Sequence, residues 1–363
     1  MPETVQSGEL VYVSGVSPTV AGDVPAQTRN ILEQVQRSLA SVGSSLDRAV
    51  SVLVFLRSAS DFGAMNEAYR GFWNGDFPTR TTIVVDLSNR ETLVEMSIVA
   101  ATAGADRTIV HPREWVQSPS PYSYALRTGD TLFLSGLVSR RGRDNSAVTG
   151  DVGQQTRVIF DNAGELLQAA GLSHAHIVSS RVYLPDAASF GAMNEAYRTY
   201  FPSAPPARAT IRAALAGPQY SVEITLIASA SPRRAITEGL PPGLNLPLSP
   251  AVVAGDRVYL SGALGNDETN RNDAAAQTKA TLEKLRKTLA SSRCSPDDVA
   301  EAIVYVTDPA NLPAIDREYR SFFGAHSPSR TTIRCGLVAP DGLVEIMLTA
   351  ATDITGRATD EHG

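Results

Sequence analysis

The stretch FGAMNEAYR occupies residues 62–70 and recurs letter for letter at 190–198, with a diverged copy, LPAIDREYR, at 312–320. Other segments repeat around it. Upstream lie VYVSG (11–15), LFLSG (132–136) and VYLSG (258–262). Downstream lie PTRTTI (78–83), PARATI (206–211) and PSRTTI (328–333), followed by LVEM (93–96), SVEI (221–224) and LVEI (343–346). From Gln27 to Asn66, Gln155 to Asn194 and Gln277 to Asp316 the interval is 39 residues each time. The steps to Arg80, Arg208 and Arg330 are each 14, and those to Glu95, Glu223 and Glu345 each 15. The unit repeats after 128 and then 122 residues, long enough to fold as a domain and too long for a solenoid module. The expectation is a tandem triplication, with domains at 1–106, 107–232 and 233–363. Composition places one linker near 104–118 and a second, rich in Pro and Gly and suited to an exposed connection, at 231–247.

Within the first unit, ELVYVSG (9–15) reads as a strand ending in a turn. Ile31, Leu32, Val35, Leu39 and Val42 mark one face of a helix over 27–42 that Gly43 ends. AVSVLVFL (49–56) has the apolar run of a buried strand. A second helix is expected over 61–73 with Asp61 as N-cap, then Pro78, then strands at 80–87 and 93–100. This order of elements predicts an α+β unit, with two helices on one face of a sheet. Alternation puts Thr81, Ile83, Val85 and Leu87 on one face of the first of these strands, and Arg80, Thr82, Val84 and Asp86 on the other. In the second, Val94, Met96, Ile98 and Ala100 oppose Glu95 and Ser97. The reading is that one sheet face packs on the helices and the other carries Arg, Thr and Glu. If the two strands pair as a hairpin, Glu sits about 7–14 Å from Arg, room for a small molecule.

Apolar residues at 43% and charged residues at 19% exclude disorder and long coiled coils. A net charge of −6 argues against nucleic acid, whose phosphates demand Lys and Arg. No apolar run approaches the ~20 residues that span a bilayer, so no membrane partner is expected. MPETVQSGEL lacks the features of a signal peptide, and two cysteines cannot build a disulfide framework; a cytoplasmic protein is expected.

Several residue types suggest chemistry that their context does not support. Ser14, Ser135 and Ser261 resemble nucleophiles, but no His recurs to activate them. Their motif points instead to a turn whose exposed amides, at Gly15, Gly136 and Gly262, can face a ligand. His174 and His176 lack recurrent partners for a metal, and neither Cys294 nor Cys335 recurs. Gln27, Gln155 and Gln277 read as helix-start residues, Arg140, Arg141 and Arg143 as a solvated basic loop. Phe62, Tyr69, Phe190 and Tyr197 read as core or interface anchors.

The SG turn, the Gln-Thr helix, the F-x-x-[MI]-[ND]-x-x-Y helix, the P-x-R strand and the VE[IM] strand, at fixed spacing, resemble the Rid family. This family is also called YjgF-type or endoribonuclease L-PSP. The resemblance covers all three units. It implies a chorismate-mutase-like fold in each unit, ligand clefts between units, and a monomeric pseudo-trimer, a higher homo-oligomer remaining open. In the deaminase branch the P-x-R arginine holds the carboxylate of a 2-imino acid, which a guanidinium matches as a two-pronged donor. That role falls on Arg80, Arg208 and Arg330. The strand glutamate, here Glu95, Glu223 and Glu345, orients or deprotonates the attacking water. Asn66 and Asn194 take the place of the family's ligand-side Asn, Asp316 replacing it in unit three. Tyr122 matches an N-terminal Tyr that unit three replaces by Leu248 and unit one begins too late to supply. Thr82, Thr210 and Thr332 stand where the branch usually carries Cys. The resemblance implies a small carboxylate-bearing metabolite as partner, and no metal or organic cofactor. Two other readings stay open: a non-catalytic carboxylate-binding pseudo-trimer, and a ribonuclease, against which the charge and the absence of a His pair weigh.

Overall fold

A computed structural model describes residues 4–87, 89–239, 246–351 and 354–358. In the first unit, β1 (Thr4–Ser7) and β2 (Leu10–Val16) form a hairpin ahead of α1 (Val24–Ser41). β3 (Ala49–Leu56), α2 (Phe62–Arg70), β4 (Thr79–Val84) and β5 (Val94–Ala101) follow. The second unit runs β6 (Thr108–Val110), β7 (Ala125–Thr128), β8 (Thr131–Leu134), α3 (Val152–Ala169), β9 (Ile177–Leu184), α4 (Phe190–Arg198), β10 (Ala207–Arg212), β11 (Ala214–Leu215) and β12 (Glu223–Ser229). The third opens with β13 (Arg233–Ile236), β14 (Ala251–Ala254), β15 (Arg257–Leu260), β16 (Ala263–Leu264) and α5 (Ala274–Ser291). It continues through β17 (Val299–Val306), α6 (Leu312–Phe323), β18 (Ser329–Arg334), β19 (Gly336–Leu337), β20 (Val344–Ala351) and β21 (Ile354–Ala358). The chain is thus three α+β units, each a mixed sheet with two helices on one face.

Local chemistry accounts for the helices. Asp23 caps α1 by accepting from the Ala26 amide, so the helix begins three residues before the expected Gln27, and Gly43 takes φ +74 just past its end. Asp61 adjoins α2 but makes no side-chain cap bond. Asp61 holds the N-cap position all the same, and the side-chain cap lies one turn earlier, where Ser58 accepts from the Ser60 amide in the short 3₁₀ turn leading into the helix.

The expected hairpin between the last two strands does not form. In the first sheet the order is β11-β4-β3-β5-β2-β1-β21, so β3 lies between β4 and β5, parallel to one and antiparallel to the other. Paired residues share a face, and this moves Arg and Glu apart. Arg80 pairs with Val52, which belongs to the helix-side core; Glu95 pairs with Phe55, which belongs to the central core. The single Arg–Thr–Glu face read from the sequence is therefore incorrect. Arg and Thr look toward the helices, Glu toward the middle of the molecule.

That middle is a core shared by all three units: Phe55 and Ile83 from the first, Tyr183 and Ile211 from the second, Tyr305 and Ile333 from the third. Short strands lace the units together. β11 of unit two pairs with β4 of unit one, β19 of unit three with β10 of unit two, and Asp86 of unit one bridges to Arg334 of unit three. The segments read as linkers also carry strands. β6 joins β7 and β13 joins β14, each completing the sheet of the unit that follows, and Trp115 is buried in that unit's core. Residues 240–245 of the second linker lie outside the described residues. For unit one the matching outer strand comes from the other end of the chain, where β21 pairs with β1.

Candidate active site

Each cleft forms where the Arg-bearing strand of one unit meets the SG turn and Glu-bearing strand of the next. At the first junction the Arg80 amide donates to the Ser135 hydroxyl at 2.9 Å, that hydroxyl donates to the Ser123 carbonyl, and the Gly136 amide donates to the Arg80 carbonyl. At the second, Arg208, Ser261, Ser249 and Gly262 repeat all three bonds. At the third, the Arg330 amide donates to Ser14 at 3.1 Å. The serines are therefore docking groups that seat one unit on its neighbour. Nothing in the sequence revealed this, because the partner lies in another repeat.

The first cleft is a cavity of about 350 Å³ lined by Arg80, Thr82 and Phe62 of unit one and by Tyr122, Gly136 and Glu223 of unit two. The second, about 480 Å³, joins Arg208, Thr210 and Phe190 of unit two to Leu248, Gly262 and Glu345 of unit three. Arg80 is 4% exposed and Arg208 2% exposed, and among the described residues neither meets a carboxylate within ion-pair distance. Terminal nitrogens of both lack hydrogen-bond partners. Burying an uncompensated charge costs several kcal/mol, roughly, and aromatic faces offset part of it. The Arg80 Cζ lies 5.0 Å from the Tyr69 ring centre and 5.6 Å from those of Phe62 and Tyr122; Arg208 lies 4.8 Å from Tyr197 and 5.8 Å from Phe190. The helix aromatics thus serve the core and stack on the arginine as well.

Glu223 and Glu345 are buried at 6% and 3% exposure. Burial pushes each carboxyl up to about 8, against the opposing pull of a backbone N–H, from Thr82 or Thr210, and of the facing Arg80 or Arg208. Each packs on its glycine so closely that a Cβ at Gly136 or Gly262 would lie 1.9 Å from the carboxylate oxygen. The Thr82 and Thr210 hydroxyls are buried with no partner. The amide oxygens of Asn66 and Asn194 are likewise buried and unpaired; neither residue lines the cavity.

One glutamine per unit holds the glutamate strand. Gln27 Oε1 accepts from the Leu93 amide, Gln155 from Ser221 and Gln277 from Leu343, each at 2.8 Å and each two residues before the glutamate. Read from sequence only as helix-start residues, they reach across to a segment more than sixty positions away.

The third junction differs. Arg330 pairs with Asp316 at 2.7 Å, so the guanidinium already holds a carboxylate from its own unit. Glu95 is half-buried and accepts from Ser17 at 2.9 Å, while Gly15 faces Thr331 in place of a glutamate. The cavity containing Glu95 and Thr332 is about 100 Å³, and Arg330 does not line it.

Elsewhere, a cavity of about 660 Å³ lies where Arg57, Arg212 and Arg334 of the three units converge. There Arg57 donates to main-chain carbonyls, Arg334 pairs with Asp86 at 3.7 Å and Arg212 is exposed, so it lacks the buried free cation of the two clefts. His174 contacts the Phe160 carbonyl, and His176 bonds with Ser173. Among the described residues no group of His, Cys, Asp and Glu could hold a metal ion, and no helix is long and apolar enough to cross a membrane.

The family model described as Endoribonuclease L-PSP matches the chain three times, over residues 2–102, 114–230 and 242–352. The chain belongs to this family. Single units resemble curated members of the Rid group. One is a "RutC family protein" of Sulfurisphaera tokodaii, 38% identical over 109 residues, which are 30% of this chain and 87% of that one. Another is the "3-aminoacrylate deaminase RutC" of Acinetobacter baylyi, 40% identical over 115 residues, 31% of this chain and 90% of that one. Among solved structures, a chorismatase superposes over 96% of this chain and 99% of its own, with a TM-score of 0.60 at 14% identity, a likeness of fold.

Proposed function

We propose that this Rid-family chain hydrolyses reactive 2-imino acids, and 2-enamino acids by way of their imine tautomers, to 2-keto acids and ammonia in its first two clefts. The observation that carries the reading is the pair of buried guanidinium groups without a carboxylate, each facing a buried glutamate from the next unit. The deaminase named among the relatives supports it.

Arg80 or Arg208 binds the substrate carboxylate and so sets C2 of the imine against Glu223 or Glu345. Held protonated at neutral pH, the glutamate passes its proton to the imine nitrogen. Now ionised, it takes a proton from the water that adds to C2, giving a carbinolamine. Return of that proton to nitrogen breaks the C–N bond: ammonia leaves, the hydroxyl becomes the keto group as its proton passes to Glu, and the glutamate ends as it began. The Thr82 or Thr210 backbone N–H, which donates to the glutamate, steadies its ionised form between these steps.

The test generates the imine in situ with an amino-acid oxidase and follows its capture by semicarbazide. The chain is expected to divert imine from semicarbazide, and Glu223→Gln with Glu345→Gln to abolish this, by about 10²-fold or more for removal of the acid–base group. If unmodified protein hydrolyses no imine while 2-keto acids still bind, the non-catalytic binding reading takes its place.

A further inference from the structure

The two open clefts share their arginine and glutamate but differ around them. Arg140, four residues beyond Gly136, lines the first cavity with Arg80. It is half-buried and fixed by a tight hairpin, in which it bridges to Ala147 while Arg141 bonds to Ser146 and Ser139 to Val148. Its side-chain bonds, to the Asn145 carbonyl and Oδ1, both use one terminal nitrogen. Among the described residues no carboxylate lies within ion-pair distance of it. Its Cζ stands 5.3 Å from the ring centre of Tyr220, which lines the same cavity, and the charges of both Arg140 and Arg80 act on the Tyr122 phenol.

At the same offsets from Gly262 and Glu345, the second cleft has Asn266 and Gly342 where the first has Arg140 and Tyr220, and Leu248 answers Tyr122. Leu246, Pro250 and Leu264 line that wider cavity. Lys284 also reaches it, but its ammonium donates to the Leu264 carbonyl at 2.6 Å.

We propose that the first cleft selects 2-imino acids carrying a second anionic group, Arg80 holding the 1-carboxylate and Arg140 the side-chain carboxylate, while the second cleft takes long apolar side chains. This rests on the imine-hydrolase reading, whose substrate class it narrows. A two-pronged guanidinium–carboxylate pair is among the stronger polar contacts, so it should dominate discrimination between acidic and neutral side chains.

The experiment uses the full chain with one cleft disabled at a time: Arg208→Ala keeps the first, Arg80→Ala the second. Gln replaces Ala in either if thermal melts show loss of fold. D-aspartate with its oxidase supplies the acidic imine, L-leucine with its oxidase the apolar one, and the configuration of the amino acid is lost at the planar imine carbon. The acidic-over-apolar ratio of kcat/KM should be at least about tenfold higher in the first-cleft form, and adding Arg140→Asn to that form should lower the ratio about tenfold. Equal ratios in the two forms, or a ratio unmoved by Arg140→Asn, overturn the proposal. Should the unmodified chain hydrolyse neither imine, it is the imine-hydrolase reading that fails. Calorimetry with 2-oxoglutarate and 4-methyl-2-oxopentanoate then reads selectivity directly, and an Arg140-dependent preference for the dicarboxylate upholds it where equal affinities contradict it.

Discussion

A single atom exchange separates a ligand-ready arginine from a satisfied one. Asn66 and Asn194 leave Arg80 and Arg208 unpaired, whereas the carboxylate of Asp316 occupies Arg330 at 2.7 Å. The exchange is plain in the sequence, and so is its sign; that the new carboxylate closes the site on itself required the coordinates. Asp316→Asn should free Arg330 to hold a carboxylate and add one 2-keto-acid binding event per chain by calorimetry; unchanged stoichiometry would mean that the small cavity, about 100 Å³ and not lined by Arg330, closes the cleft as well. Glu223 and Glu345 carry a second prediction. Their pKa is raised from the usual 4.5 to about 8, so each holds its proton at neutral pH and loses it above. If that proton must reach the imine nitrogen, kcat/KM for a neutral imine falls as pH rises through about 8. A profile rising through that range would mean that the ionised carboxylate is the form that starts the reaction.

At the scale of elements, periodicity located strands and helices well and their neighbours badly. Residues 49–56 read as a buried strand and form β3 with those bounds. Yet alternation reports only which residues share a face of one strand. It does not say that β3 inserts between β4 and β5, and this insertion puts Arg80 and Glu95 on opposite sides of a sheet. The docking serines and the glutamines were legible as recurrences but not as contacts, because each bond joins distant segments. Gln155 should be a positioning residue for Glu223. Gln155→Leu leaves the part-buried Ser221 amide without its 2.8 Å acceptor, a cost of about 1 kcal/mol that thermal melts would register. In an Arg208→Ala background it should also lower kcat more than it raises KM and displace the pH limb of Glu223. A purely structural role would lower Tm and leave that limb in place.

For the molecule as a whole, the triplication was legible because the repeats keep their internal spacing, and the family match over all three units agrees with it. The closure was not. β11 and β19 pass from unit to unit, and β21 returns from the third unit to β1 of the first, so the outer strand of unit one comes from the far end of the chain. In such a ring each open cleft belongs to two units, and the proposed reaction pairs the arginine of one repeat with the glutamate of the next. The most direct measurement compares two double variants by the semicarbazide assay with a neutral imine. Arg80→Ala with Glu223→Gln damages only the first cleft and should keep the activity of the second. Arg80→Ala with Glu345→Gln damages both and should abolish turnover. Equal residual activity in the two, or the reverse order, would contradict catalysis shared across the unit boundaries.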